Sequence, residues 1–150
     1  MKLFFDTFAL IKFFHEEDGT QEVTRLITSE ENEIWVSELV RIEFISALSR
    51  RIRNNEITED KLNEAISGFD EQIASFNIEP LGHAIMTEAE SLMRKFAKTY
   101  GMRTLDALHL ATFSLISGSD WLFVASDKTL CAIVQSMGFE TINPQLNRNR

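Results

Sequence analysis

Apolar residues along this chain follow two rhythms. Short, nearly continuous runs stop abruptly, as in Lys2-Leu3-Phe4-Phe5 before Asp6, Glu33-Ile34-Trp35-Val36 before Ser37, and Trp121 to Ala125 before Ser126. Such runs read as buried strands. Between them, apolar residues recur at helical spacing. Asp6-Thr7 is expected to cap a helix through Phe14, broken at Asp18-Gly19, and Thr20 to Thr28 forms a second, with Val23, Leu26 and Ile27 inward. Ser37 is read as the cap of a helix from Glu38 to Asn54, and Thr58 as the cap of one reaching Ser75. A short strand follows over 76–81, closed by Pro80 and Gly82. Helices are then expected from His83 to Tyr100, stopped by Gly101, from about Arg103 to Gly118, and from Lys128 to Met137. A last short strand covers 139–142. Strands alternating with helices predict an α/β domain whose sheet is mostly parallel, with about five short strands and both faces covered.

The segment Arg103-Thr104-Leu105-Asp106-Ala107-Leu108-His109-Leu110-Ala111-Thr112 stands out within this pattern. Its helix is apolar on nearly every side and is expected to be buried, yet Asp106 falls on the strip of Leu110 and Phe113. A buried carboxylate must be paired, hydrogen-bonded or bound to a cation; complementing the helix dipole is the plainer alternative. Glu43 repeats the anomaly, on the row of Leu39 and Ala47. Asp6 and Asp127 follow strands, where helix capping explains each one singly and where ligand sites of open parallel sheets also collect. Glu38 reads as a first-turn dipole partner.

Composition narrows the chemistry. The chain has 150 residues, enough for one domain with a sizeable core, here 1–143, with 144–150 as a polar tail carrying Arg148 and Arg150. Its net charge of −8 excludes a broadly basic nucleic-acid surface, so contact with a polyanion needs a local basic patch, a metal ion or both. Arg50, Arg51 and Arg53 offer either a phosphate track or a solvated helix end, and Arg94, Lys95, Lys98 and Arg103 a second candidate patch. The single cysteine, Cys131, excludes an internal disulfide and reads as a small core residue. The start shows neither a leader-like apolar run nor a small-residue cleavage site, and no stretch is long enough to span a bilayer; a cytoplasmic protein without membrane association is expected. Of Phe13 and Phe14, one is expected at an interface.

Four carboxylates converging at one rim would repel: a pair about 4 Å apart costs roughly 4 kcal/mol at an effective dielectric of 20. Partial protonation or a bound divalent cation compensates, and oxygen-only ligands favour Mg²⁺ or Mn²⁺ over Zn²⁺. No Cys/His set has zinc spacing, and His109 reads as a satisfied core histidine. There is no Gly-rich phosphate loop and no GxSxG elbow.

Taken together, Phe5-Asp6-Thr7 with Ala9-Leu10, Ser37 through Glu43-Phe44 to Arg50, the block around Asp106, and Ser126-Asp127-Lys128 with Leu130 resemble the PIN-domain family. The similarity is greatest to the toxins of VapBC toxin–antitoxin pairs. The resemblance implies a three-layer α/β/α, Rossmann-like fold and a Mg²⁺- or Mn²⁺-dependent endoribonuclease acting on single-stranded or looped RNA. It matches Asp6, Glu43, Asp106 and Asp127 to the family's acidic quartet, as catalytic and metal-holding residues for one or two ions. It further implies a homodimer and a small antitoxin protein as partner. Two positions depart from the family's pattern: Phe8 and Ala125 stand where a small hydroxyl residue is frequent, and Thr7 and Ser126 offer neighbouring hydroxyls. Two other readings compete. A non-catalytic module would keep the acids as caps. A phosphate-accepting receiver domain would need an Asp at the end of a middle strand, where Val36-Ser37 and Leu81-Gly82 stand instead.

Overall fold

A computed structural model of the chain describes residues 1–146. Five strands, β1 (Lys2–Phe5), β2 (Glu33–Ser37), β3 (Asn77–Glu79), β4 (Trp121–Val124) and β5 (Glu140–Ile142), form one sheet in the order β3-β2-β1-β4-β5. Every pairing is parallel, with Phe5 opposite both Val36 and Val124. The order runs outward from β1 in both directions, so the chain reverses its winding beside β1. Ligand sites of such sheets lie in the crevice at that reversal, outside the carboxyl ends of the strands.

The period of two along each strand divides the core. Phe4, Trp121 and Phe123 face one layer, made by α5 (His83–Tyr100), α6 (Thr104–Ile116) and α7 (Lys128–Ser136). Leu3, Phe5, Ile34, Val36 and Val124 face the other, made by α1 (Thr7–Phe14), α2 (Thr20–Thr28), α3 (Val40–Arg53) and α4 (Glu59–Gln72). The result is the expected three-layer α/β/α sandwich. Phe4, Phe113 and Phe123 interlock through ring contacts at 5.1–5.6 Å, and Phe14, Phe44 and Phe69 do the same in the opposite layer at 4.2–5.7 Å. Gly101 ends α5 in the left-handed region at φ 69°, which lets the chain turn directly into α6.

Several local expectations need correction. Ser37 belongs to β2; its hydroxyl accepts from Leu39 N–H, and α3 starts only at Val40. Glu38 is not a dipole partner of α3: it lies in the turn before it, and its carboxylate accepts from Leu81 N–H at 2.6 Å, pinning the β3–α5 connection. The helix capped by Thr58 gives way to a 3₁₀ turn over Ile73–Ser75. Phe13 and Phe14 both pack against the α1–α4 layer, edge to face at 5.0 Å, so neither is bare surface. Asn143 and Pro144 are buried, with Asn143 donating to Ser126 O at 3.2 Å, so the chain stays docked past β5. Of the expected polar tail, residues 147–150, with Arg148 and Arg150, lie outside the described residues.

Candidate active site

The acids that sequence pattern singled out meet at the carboxyl ends of β1, β2 and β4. Asp6 follows β1 directly, and its backbone N–H donates to Val124 O, continuing the β1–β4 ladder by one bond. Its Oδ1 accepts from Ala9 N–H at 2.8 Å and caps α1. Asp127 does the same for α7, accepting from Leu130 N–H at 3.0 Å. Capping engages one oxygen of each carboxylate, and the other oxygen of Asp127 lies 3.5 Å from Arg103. The two readings of these residues, cap and site, are therefore compatible. Glu43 projects from the first turn of α3 and Asp106 from the first turn of α6.

Glu43 is 8% exposed and held by two buried neighbours. Thr7 donates its hydroxyl to Oε1, and His109 Nε2 lies 2.6 Å from the same oxygen. Burial opposes the charge of Glu43, but the hydrogen bond and field of His109, the Thr7 hydroxyl and Arg103 together outweigh it and hold its pKa below the ordinary value. His109 is thus a core histidine, as expected, but not a fully satisfied one, and its Nε2 orients a site carboxylate. Its Nδ1 is buried without a partner among the described residues.

Asp6 is 3% exposed, and its pKa rises from 3.8 to about 7. Burial is the main cause, and Asp106 and Glu43 add repulsion against the relief given by His109 and Ala9 N–H. Burial also raises the pKa of Asp106, with Asp127 adding repulsion and Arg103 opposing it. Arg103 spans this pair: its Nε lies 3.1 Å from Asp106 and a terminal nitrogen 3.5 Å from Asp127. It therefore belongs to the site. Arg94, Lys95 and Lys98 do not line the clefts at the site; Arg94 pairs with Glu90 on α5 and Lys95 lies over the Phe96 ring.

Two clefts open here. Glu43 and Asp106 line one, and Asp6, Ser126 and Asp127 line the other. The donor set suits a hard divalent cation, since it is all oxygen and each cap-forming aspartate keeps one uncapped oxygen. Buried carboxylates that raise one another's pKa are the electrostatic mark of such a site. As the side chains stand, no group of three or more His, Cys, Asp or Glu residues among the described residues is close enough to hold a metal ion, and Arg103 supplies the positive charge between Asp106 and Asp127. The residues fit a cation chemically, and Arg103 would compete with one for Asp106 and Asp127.

A parallel α/β sandwich with acids gathered at its winding reversal defines a class of doubly wound domains whose ligand crevice is acidic. Within it, this chain belongs to the PIN domain family, whose model matches residues 3–133. No curated protein matches the sequence. Solved structures share the fold along nearly the whole chain. FitAcB from Neisseria gonorrhoeae superposes with a TM-score of 0.67 at 16% identity, covering 95% of this chain and 97% of its own. A toxin–antitoxin complex from Klebsiella pneumoniae gives 0.60 at 18%, with coverage of 95% and 97%. VapBC2 from Rickettsia felis, bound to a DNA fragment from its promoter, gives 0.62 at 14%, with coverage of 95% and 98%. No helix among the described residues is long and apolar enough to cross a membrane.

Proposed function

We propose that this protein is a divalent-cation-dependent endoribonuclease that hydrolyses phosphodiester bonds in single-stranded or looped RNA, and that it serves as the cytoplasmic toxin of a toxin–antitoxin pair. The observation that carries the reading is the convergence of Asp6, Glu43, Asp106 and Asp127, from four separate segments of the chain, on one rim. Membership of the PIN family supports nuclease chemistry, and the toxin–antitoxin complexes among the structural neighbours support the toxin role.

Asp6, Glu43, Asp106 and Asp127 would hold Mg²⁺ or Mn²⁺. When bound, such an ion neutralises charge on the phosphoryl oxygens and lowers the pKa of water at neutral pH. The chain's own residues prepare the place. Thr7 and His109 fix Glu43 in its ionised form. The α1 and α7 caps hold Asp6 and Asp127 at fixed angles. Arg103, 65% exposed, can turn from the carboxylates towards a phosphate. A small antitoxin and a second copy of the chain complete the reading; Ile42 and Ile45, exposed one turn apart on α3, supply apolar surface for a partner.

The test is incubation of purified protein with mixed cellular RNA in Mn²⁺ and in EDTA. Cleavage in Mn²⁺ that is absent in EDTA and absent in Asp106→Asn supports the reading. A second reading has its own observation: Asp6 and Asp127 cap helices and Arg103 pairs with Asp106 and Asp127, which gives the acids structural roles in a non-catalytic binding module. That reading predicts no cleavage with either metal and no stabilisation by Mn²⁺.

A further inference from the structure

The two clefts on either side of the carboxylates share four residues: Phe8, Arg50, Arg51 and Arg103. One aromatic ring and three guanidinium groups therefore form the wall common to both, in a protein whose net charge is −8. Phe8 is the anomaly in this group. It sits on α1 two residues after Asp6, and α1 otherwise buries Thr7, Ala9, Leu10, Ile11 and Lys12. Phe8 alone in that run turns outward, 38% exposed. It enters none of the ring contacts that tie up Phe13, Phe14, Phe44 and Phe69. The arginines differ in freedom. Arg51 is held by Glu17 at 2.6 Å and Arg103 by the two aspartates, whereas Arg50 is exposed and has no side-chain partner among the described residues.

We infer that Phe8 is a stacking platform for one unpaired base beside the scissile phosphate, and that Arg50 holds a neighbouring phosphate of the same strand. The inference rests on the nuclease reading and deepens it by assigning the side chain that selects an unstacked nucleotide. The chemistry favours this pairing. Every nucleobase has a π-face, so a single exposed ring next to a cation grips a single strand without reading its sequence. A base locked in a duplex cannot present that face. Stacking adds affinity without adding positive charge, whereas a phosphate contact adds salt dependence. The two residues therefore leave different signatures.

The experiment measures binding of a fluorescein-labelled, mixed-sequence single-stranded RNA by anisotropy across a salt series, with Ca²⁺ present. Cleavage of the same RNA in Mn²⁺ is followed in parallel. Phe8→Ala should weaken binding of the single strand about tenfold with an unchanged salt slope. Phe8→Trp should restore it, and its added tryptophan fluorescence should be quenched by RNA. Arg50→Gln should reduce the salt slope by about one. Duplex RNA should bind wild type and Phe8→Ala alike. Equal binding of the single strand by wild type and Phe8→Ala overturns the inference while leaving the nuclease reading intact. So does equal weakening for single-stranded and duplex RNA, or an unquenched Phe8→Trp. If wild type neither binds nor cuts RNA, the nuclease reading fails and this inference falls with it. Thermal melts confirm that each variant is folded; an exposed ring contributes little to the core.

Discussion

Arg103 lies between Asp106 and Asp127, with guanidinium nitrogens 3.1 Å and 3.5 Å from their carboxylates. It links the start of α6 to the start of α7 and is the cation nearest to this repelling pair. A partly exposed ion pair contributes about 0.2–1 kcal/mol, which a divalent ion in the same place can outcompete. Arg103→Gln is therefore expected to lower the melting temperature in EDTA and to tighten Mn²⁺ binding about two- to fivefold, the factor that roughly 0.5–1 kcal/mol corresponds to. Calorimetric titration with Mn²⁺ checks this; an unchanged affinity contradicts the counter-ion role.

The buried carboxyl of Asp6 makes the metal-free protein pH-sensitive. Its folded pKa of about 7 exceeds the ordinary 3.8, so the folded state binds the proton more tightly. The contribution of protonated Asp6 is fully present below about pH 4 and is lost as the pH rises through about 7. Glu43 has the opposite sign, with a lowered pKa, so its contribution is lost only in acid below 4.5. Asn caps a helix about as well as Asp. Melts in EDTA should therefore show Asp6→Asn more stable than wild type at pH 8 by several degrees, with the gap narrowing as the pH falls and closing only below about pH 4. A variant less stable than wild type at pH 8 contradicts the burial argument.

Thr7 is fully buried and donates to an ionised carboxylate. Thr7→Val keeps the shape and removes the donor. Hydrogen bonds to charged groups are worth about 1.5–3 kcal/mol, and urea unfolding should register a loss of that order with an unchanged slope. Thr7→Ser, which keeps the hydroxyl, should lose less. No loss in Thr7→Val beside a clear loss in Thr7→Ser would assign Thr7 a packing role only.

Cys131 is buried, and its thiol is pushed up to about 11, chiefly by burial and further by Asp6. A thiol reagent at pH 8 should label the native protein slowly and the urea-unfolded protein at once. Rapid native labelling would contradict its place in the α7 packing.

Much of this site is legible in the chain. Asp6 and Asp127 are visible because strand-ending acids precede helices, and Glu43 and Asp106 because acids interrupt apolar helix faces. The sheet follows from short apolar runs alternating with helical ones. The site's counter-ions are less legible. Arg103 stands three residues before Asp106, a spacing at which helix side chains meet, so that half of its bridge was readable; the half to Asp127 depends on how α6 and α7 pack. His109 reaches Glu43 across 66 positions of chain, and no local pattern carries that contact. Glu38 illustrates the converse. Its expected place in the first turn of a helix suggested a dipole role, but α3 starts only at Val40 and Glu38 binds Leu81 N–H instead.

Whether these acids form a divalent-cation site can be measured without knowledge of the RNA. Wild type and Asp106→Asn are melted in EDTA and in Mn²⁺. At ten times the dissociation constant, binding should add about 1.4 kcal/mol to wild type, a rise of a few degrees for a chain of this size. A cation site at these acids gives that rise in wild type and little or none in Asp106→Asn. No shift in wild type, or the same shift in both, would contradict it.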